Sequence, residues 1–155
     1  FRAHVPQLVE WVDARFPATT VYADSYSPFC MIAGDNGEAD AIQAHIENLL
    51  RSVPNLAFVR NDVYARFCHA DFNKGTALAE ITRRLNLKPE NVFAAGDHLN
   101  DLPMLDHRFA RYLVSPANAV EPVKQALRSL GGHVSELPHG HGVLEGLTLH
   151  LHSGF

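Results

Sequence analysis

The chain has 155 residues, a formal net charge of −4 and ten histidines, with 46% hydrophobic and 19% charged residues. This length predicts a single domain, and the composition is typical of an ordinary globular chain. The weak negative charge argues against nucleic acid or an anionic membrane surface as a partner. No apolar run in the sequence reaches the roughly 20 residues that a membrane-spanning helix needs.

The first part of the chain predicts two helices and four strands. Its helical segments carry apolar residues every three or four positions, and its strand segments are short and rich in β-branched and aromatic residues. In chain order these are a helix over 4–16, strands over 19–25 and 29–33, a helix over 39–53, and strands over 56–60 and 63–69. We expect an antiparallel sheet with its helices on one face, which is an α+β layer.

The pattern changes after residue 69 to alternating helices and strands. In order these are a helix over 74–86, a strand over 91–95, a short helix over 101–106, a strand over 111–114, a helix over 119–130, an edge strand over 133–137 and a helix over 142–151. Alternation of this kind predicts parallel strands joined by helical crossovers. The expected fold class is therefore α/β, with a partial Rossmann-like parallel sheet preceded by the α+β layer.

A polar loop follows the apolar strand at 92–95. Gly96 ends the strand, and the polar positions after it are Asp97, His98, Asn100 and Asp101. We expect Asp101 to cap the short helix that follows, with Pro103 in its first turn. Ligands of open α/β sheets bind beyond the carboxyl ends of the strands, and carboxylate and amide oxygens suit Mg²⁺. The alternative is a capped turn with solvated acids, since Asp and Asn are common in turns.

A second motif, Asn73-Lys-Gly-Thr76, stands directly before an amphipathic helix that leads into this strand. The order is thus Lys-Gly-Thr, helix, short loop, strand and Gly-Asp-x-x-Asn-Asp. It closely resembles the C-terminal half of haloacid dehalogenase-like phosphatases, in particular the branch with Cof-type sugar phosphatases and sucrose-phosphate phosphatase. The residues that match the family motifs are Lys74, Asp97, Asn100 and Asp101.

The resemblance implies Mg²⁺-dependent hydrolysis of a phosphate monoester, of a sugar phosphate or similar small metabolite, through an aspartyl-phosphate. In the family, one Asp attacks phosphorus and a second Asp works as general acid and base. Lys74 would neutralise charge on the nucleophile and the phosphoryl oxygens. Asp97 would bind Mg²⁺, and Asp101 would bind it directly or through water. Asn100 would position the phosphate or the nucleophile.

The nucleophile motif of that family, Asp-x-Asp-x-Thr, does not occur in these 155 residues. In the family it precedes an inserted cap domain. We therefore expect residues 1–69 to be the cap and residues 70–155 the second half of the catalytic core. Such a piece would be inactive alone, and its unpaired sheet edge would favour self-association. The alternative is a non-catalytic binding or interaction module with the same fold.

The resemblance also implies that the cap selects the substrate. Arg60 and Arg66 on the last predicted hairpin are the candidate substrate-binding residues, with Tyr64 and His69 beside them. Strand alternation separates Tyr64 and Arg66 from their apolar neighbours. The alternative is an ordinary solvated strand face.

The remaining chemistry-bearing residues have plainer interpretations. Cys30 and Cys68 are interpreted as two free, buried thiols of a cytoplasmic protein, and the alternative is a disulfide between neighbouring strands. His139-Gly-His141 has metal-binding residue types, but zinc needs three or four converging ligands, which favours surface histidines.

Overall fold

The computed structural model describes residues 2–152, and the chain divides into two compact units, one ending at Asp71 and the other beginning at Phe72. The first contains an antiparallel sheet and the second a parallel sheet, so the predicted fold class is confirmed. Within residues 2–152, no helix is both long and apolar enough to cross a membrane. The roles of cap and core half stay predictions.

The first unit packs two helices on one face of a four-stranded sheet. Its elements are a short 3-10 helix (Arg2–His4), α1 (Val5–Arg15), β1 (Thr20–Tyr22), β2 (Cys30–Ile32), α2 (Asn36–Leu50), β3 (Leu56–Asn61) and β4 (Tyr64–His69). The strand order is β1-β2-β4-β3, and every neighbouring pair is antiparallel. The α+β layer forms because each helix offers one apolar stripe to the apolar face of the sheet.

Strand β4 shows how the two faces of this sheet differ. Ala65 and Phe67 are fully or almost fully buried and belong to the apolar core under the helices. Tyr64, Arg66 and Cys68 alternate with them and are only partly buried. The period of two along a strand therefore places these three side chains on the face that α1 and α2 do not cover.

The second unit has a three-stranded parallel sheet in the order β5-β6-β7. Its elements are α3 (Lys74–Leu85), a 3-10 helix (Pro89–Asn91), β5 (Phe93–Ala95), a second 3-10 helix (Leu99–Met104), β6 (Tyr112–Ser115), α4 (Glu121–Leu130), β7 (His133–Val134) and α5 (His139–His152). Among residues 2–152, the outer edge of β5 has no strand partner. Self-association through this edge stays a prediction.

Helices cover both faces of this parallel sheet. On one face, Leu113 of β6 packs in a core with Val123 and Leu127 of α4. On the other face, α5 lies against Val114, and a Cβ atom added at Gly146 would come within 2.6 Å of the Val114 methyl groups. Glycine at position 146 therefore lets α5 approach β6 closely, which a larger residue would prevent.

The surroundings of His150 in α5 predict a dependence of stability on pH. Its ring lies 4.6 Å from that of Tyr112, centroid to centroid, beside a cavity of about 320 Å³. Within residues 2–152, its buried Nε2 finds no hydrogen-bond partner. Burial lowers the pKa of His150 below 6.5, and the charge of His133 adds to the effect. The unfolded chain therefore binds this proton more readily, and stability is lost as the pH falls below about 6.5.

We expect the free energy of unfolding to fall between pH 7.5 and pH 5.5, and His150→Phe to reduce that loss. Each unit of difference between the folded and unfolded pKa contributes about 1.4 kcal/mol. Urea unfolding at the two pH values measures the effect, and His141→Gln, at an exposed position of the same helix, is the control. An unchanged pH dependence in His150→Phe would show that other groups cause it.

Candidate active site

The loop after β5 is folded around the carboxylate of Asp101. Its Oδ2 accepts hydrogen bonds from the backbone N–H groups of Asp97, at 2.9 Å, and His98, at 3.1 Å. Asp101 is only 4% exposed. A side chain at Gly96 would overlap that of Asp101, so glycine is required where the chain leaves the strand. The loop therefore has a defined shape before any ligand binds.

The expectation that Asp101 caps a short helix is wrong in detail. The helix is a 3-10 helix that begins at Leu99, and Asp101 lies inside its first turn. The carboxylate reaches back to N–H groups that precede the helix, and the Asp101 N–H donates to the carbonyl oxygen of His98 at 2.9 Å. Because these donors are satisfied by a residue within the helix, the helix begins two residues earlier than predicted.

Lys74 stands at the first position of α3, after an Asn73 cap that accepts the Thr76 N–H at 3.0 Å. Its ammonium group forms an ion pair with Asp101 Oδ1, across 27 residues of sequence. Gly75 packs directly against the carbonyl oxygen of Pro103, where a Cβ atom would overlap it. The start of α3 and the 3-10 helix are thus in contact, and this contact brings Lys74 to the loop.

The charge of Asp101 is balanced within the site. Burial acts to raise the pKa of its carboxyl, but hydrogen bonds from Lys74 and from the N–H groups of His98 and Asp97 outweigh it, and the pKa is lowered. Asp101 therefore stays ionised, with both oxygens engaged. Lys74 keeps 48% of its side chain exposed, so its ammonium group can donate to a further oxygen.

Asp97 is the open carboxylate of the loop. Its Oδ2 accepts from the side-chain amide of Asn118 at 3.4 Å, and its carbonyl oxygen accepts from the Val120 N–H at 2.9 Å. Within the described residues, its Oδ1 accepts no hydrogen bond. Asn100 is partly buried, and its Oδ1 has no hydrogen-bond partner in the described part of the chain. Asp97 Oδ1 is thus available to a ligand, whereas Asn100 Oδ1 is buried.

Sequence reasoning missed Asn118. Its side chain contacts Asp97 although the two residues are 21 positions apart. The signal that could have found it is its place after β6, because β5 and β6 are parallel neighbours whose carboxyl ends meet at one sheet edge.

The oxygen atoms at this edge of the sheet could supply Mg²⁺ with one protein carboxylate, that of Asp97. Among residues 2–152, no three His, Cys, Asp or Glu side chains converge to hold a metal ion. Mg²⁺ keeps several waters and commonly takes only one or two carboxylates, so an open oxygen on Asp97 suits it. Both oxygens of Asp101 already accept hydrogen bonds, from Lys74 and from two backbone N–H groups, so its carboxylate stabilises the conformation of the loop.

The two predicted substrate-binding arginines lie in the first unit and on opposite faces of its sheet. Arg60 shares the helix-covered face with Phe58 and forms an ion pair with Asp40 of α2. Its guanidinium also donates to the Asn36 side chain at 2.6 Å. The structure thus brings Lys74, Asp97 and Asp101 together, whereas Arg60 is occupied at the start of α2.

Arg66 lies on the uncovered face. It forms an ion pair with Asp24 at 3.2 Å, and its guanidinium lies 5.6 Å from the centre of the Tyr26 ring. Asp24 is itself fixed by the N–H groups of Tyr26 and Ser27, at 2.7 and 2.6 Å. The loop between β1 and β2 therefore holds Arg66 in place on an open surface.

The family model for haloacid dehalogenase-like hydrolases matches residues 17–146. The chain belongs to this family. It is 33% identical over 127 residues to an HMP-PP phosphatase from Yersinia pseudotuberculosis, covering 80% of the chain and 41% of that protein. It is 32% identical over 82 residues to a phosphoglycolate phosphatase from Methanococcoides burtonii, covering 53% of the chain and 34% of that protein. The chain thus spans less than half the length of these relatives.

Solved structures show the same fold. A Streptococcus mutans protein matches with a TM-score of 0.70 at 18% identity, over 99% of the chain and 69% of that protein. The sucrose-phosphatase from Synechocystis, solved with sucrose and phosphate, matches with a TM-score of 0.63 at 15% identity, over 92% of the chain and 61% of that protein. The recognition of the family is confirmed, and a sucrose-phosphatase is among its fold neighbours, as the predicted branch implies.

Proposed function

We propose that the protein carrying this hydrolase chain is a Mg²⁺-dependent phosphatase that cleaves a phosphate monoester of a small metabolite through an aspartyl-phosphate. The nucleophile would lie outside these 155 residues, which lack an Asp-x-Asp-x-Thr motif. The observation that carries the proposal is the pairing of Lys74 with a braced Asp101 beside the open carboxylate of Asp97. The phosphatase names of the two curated relatives support it.

Each residue of this group has a distinct task in the proposal. Asp97 would hold Mg²⁺ through its free oxygen, and the bound ion would supply positive charge for the phosphoryl oxygens. Lys74 would donate a charge-assisted hydrogen bond to the same group or to the nucleophile. Asp101 keeps the ammonium group of Lys74 in position and holds the loop in shape. Preorganised charges of this kind commonly provide the largest part of catalysis.

Asn100 would position the phosphate or the nucleophile. A buried amide oxygen without a partner is uncommon and has a cost of about 1–3 kcal/mol. Such an atom in the same loop as Asp97 supports a site that is completed by something outside residues 2–152, such as a water or another donor.

The first unit would act as the cap that selects the leaving group, and the second as half of the core. Arg66, with Tyr64 in the same strand, is the better candidate for substrate binding, because it lies on the sheet face that α1 and α2 leave uncovered, whereas Arg60 lies on the covered face. Relatives and fold neighbours carry the names of different phosphatases. The proposed substrate is therefore given only as a class, a sugar phosphate or similar small metabolite. Cys30 and Cys68 are free thiols, which supports a cytosolic setting.

The second candidate is a non-catalytic binding module, and the missing nucleophile motif favours it. Phosphate release from generic esters separates the two. The complete protein, with the sequence upstream of Phe1, is expected to release phosphate only with Mg²⁺, whereas the 155-residue chain alone is expected to show no turnover, because it lacks the covalent nucleophile. Turnover by the purified chain would contradict the site assignment, and a complete protein inactive on a broad panel of esters would favour the binding module.

A further inference from the structure

We propose that Asn118 is a positioning residue that holds the Asp97 carboxylate with Oδ1 open and couples this arrangement to the start of α5. The inference rests on the proposed function only in one respect, namely that the open oxygen of Asp97 binds Mg²⁺. Asn118 touches neither the Lys74–Asp101 pair nor Asn100 through any hydrogen bond found in residues 2–152. Its effect on the site would therefore pass through Asp97.

Three chain segments meet at this residue. The Val120 N–H donates to the carbonyl oxygen of Asp97, and the Ala117 N–H donates to that of Leu137, both at 2.9 Å. The loop that carries Asn118 is thus attached on one side to the Asp97 loop and on the other to the segment before α5. Asn118 stands between these two attachments, and each end of its amide reaches one neighbour.

The orientation of that amide follows from its partners. Its Oδ1 accepts the backbone N–H of His139, the first residue of α5, at 2.6 Å. His139 has a φ of 53°, a left-handed conformation, and helix-terminal N–H groups need an acceptor from outside the helix. Only the amide oxygen can accept, so the NH₂ group must face Asp97.

The consequence for Asp97 is that only one of its oxygens is occupied. Nδ2 of Asn118 lies 3.4 Å from Oδ2, which is a long hydrogen bond, but its acceptor is a carboxylate. If the carboxylate rotated by half a turn, Oδ1 would take the hydrogen bond from Asn118 and Oδ2 would be the open oxygen. Outer hydrogen bonds that orient a ligand in this way commonly contribute about 10–100-fold to metal affinity or activity. Because a bond of 3.4 Å is weak, we expect an effect at the lower end of this range, about 10-fold.

Two substitutions separate positioning of Asp97 from capping of α5. Asn118→Asp keeps an acceptor for the His139 N–H but replaces the donor by an oxygen that repels Asp97. Asn118→Ala removes both functions. If Asn118 only caps the helix, the Asp variant should behave like the parent, and the Ala variant should lose stability alone.

The first test needs neither Mg²⁺ nor substrate. In ¹⁵N–¹H spectra of the chain, the Asn118 side-chain signals are the pair that disappears in Asn118→Asp. Asp97→Ala should shift this pair more than the side-chain amides of Gln43 and Asn48, which lie in α2. A shift no larger than theirs would overturn the contact and with it the inference.

The second test uses Mg²⁺ titrations of the complete protein. We expect Asn118→Ala to raise the half-saturating Mg²⁺ concentration about 10-fold, and Asn118→Asp to lower kcat about 10-fold at an unchanged Tm. Leu147→Ala on α5, away from the loop, is the control for weakened docking of that helix. Values within twofold of the parent in both Asn118 variants would overturn the inference. If Asp97→Ala keeps full activity, the proposed function fails, although the amide shift can still establish the contact.

Discussion

Asp97→Ala in the complete protein is expected to reduce turnover about a thousandfold while leaving the fold in place. Losing about 4 kcal/mol of charge stabilisation at the phosphoryl group corresponds to this factor. The fold should persist because the Asp97 side chain is exposed and, within residues 2–152, makes a single long hydrogen bond, to Asn118. The backbone bond from Val120 to the Asp97 carbonyl oxygen does not depend on the side chain.

The measurement for Asp97→Ala is kcat at saturating Mg²⁺, with thermal unfolding to verify the fold. Asp106→Ala is the matched control, because Asp106 is also a carboxylate of the second unit but pairs with Arg108. The control should keep the parent activity. Near-normal Mg²⁺-dependent turnover in Asp97→Ala would refute the assignment of this loop as the metal site.

Lys74→Ala is expected to reduce turnover about a hundredfold or more and also to lower stability. The activity loss follows from removing a fixed positive charge at the phosphoryl group. The stability loss, of about 1–3 kcal/mol, follows from leaving the buried Asp101 carboxylate with its backbone donors only. Steady-state kinetics and urea unfolding measure the two effects separately.

The double variant Lys74→Ala with Asp101→Asn distinguishes the two tasks of the lysine. Removing both charges should restore part of the lost stability, because no buried carboxylate is left unpaired. Turnover should stay low, because the ammonium group is still missing from the site. Recovery of turnover in the double variant would mean that Lys74 serves only to neutralise Asp101.

The order of the motifs was enough to predict that Lys74, Asp97 and Asp101 meet, because a helix that leads into a parallel strand begins near the carboxyl end of that strand. It could not decide which of the two acids, Asp97 or Asp101, has both oxygens engaged and which has an oxygen left for a ligand. That choice depends on the backbone N–H groups of Asp97 and His98, which donate to Asp101 in the folded loop. The early start of the 3-10 helix has the same cause.

The sequence also could not predict that Arg60 and Arg66 lie on opposite faces of the sheet. Both are arginines of one hairpin, and alternation within each strand was clear. The face of Arg60 depends on the pairing of β3 with β4, in which Arg60 lies opposite the buried Ala65 and Val59 lies opposite Arg66. A one-residue change of register would have exchanged the faces.

The contact of Gly75 with Pro103, together with the Lys74–Asp101 ion pair, closes the stretch from Lys74 to Asp101 upon itself. The Lys74–Asp101 ion pair therefore depends on one continuous piece of chain. In evolution, recombination at Asn73 could replace everything before it and transmit this piece whole. The preceding unit could then diversify by exchange, whereas position 75 would have to remain glycine, because a Cβ atom there would overlap the carbonyl group of Pro103.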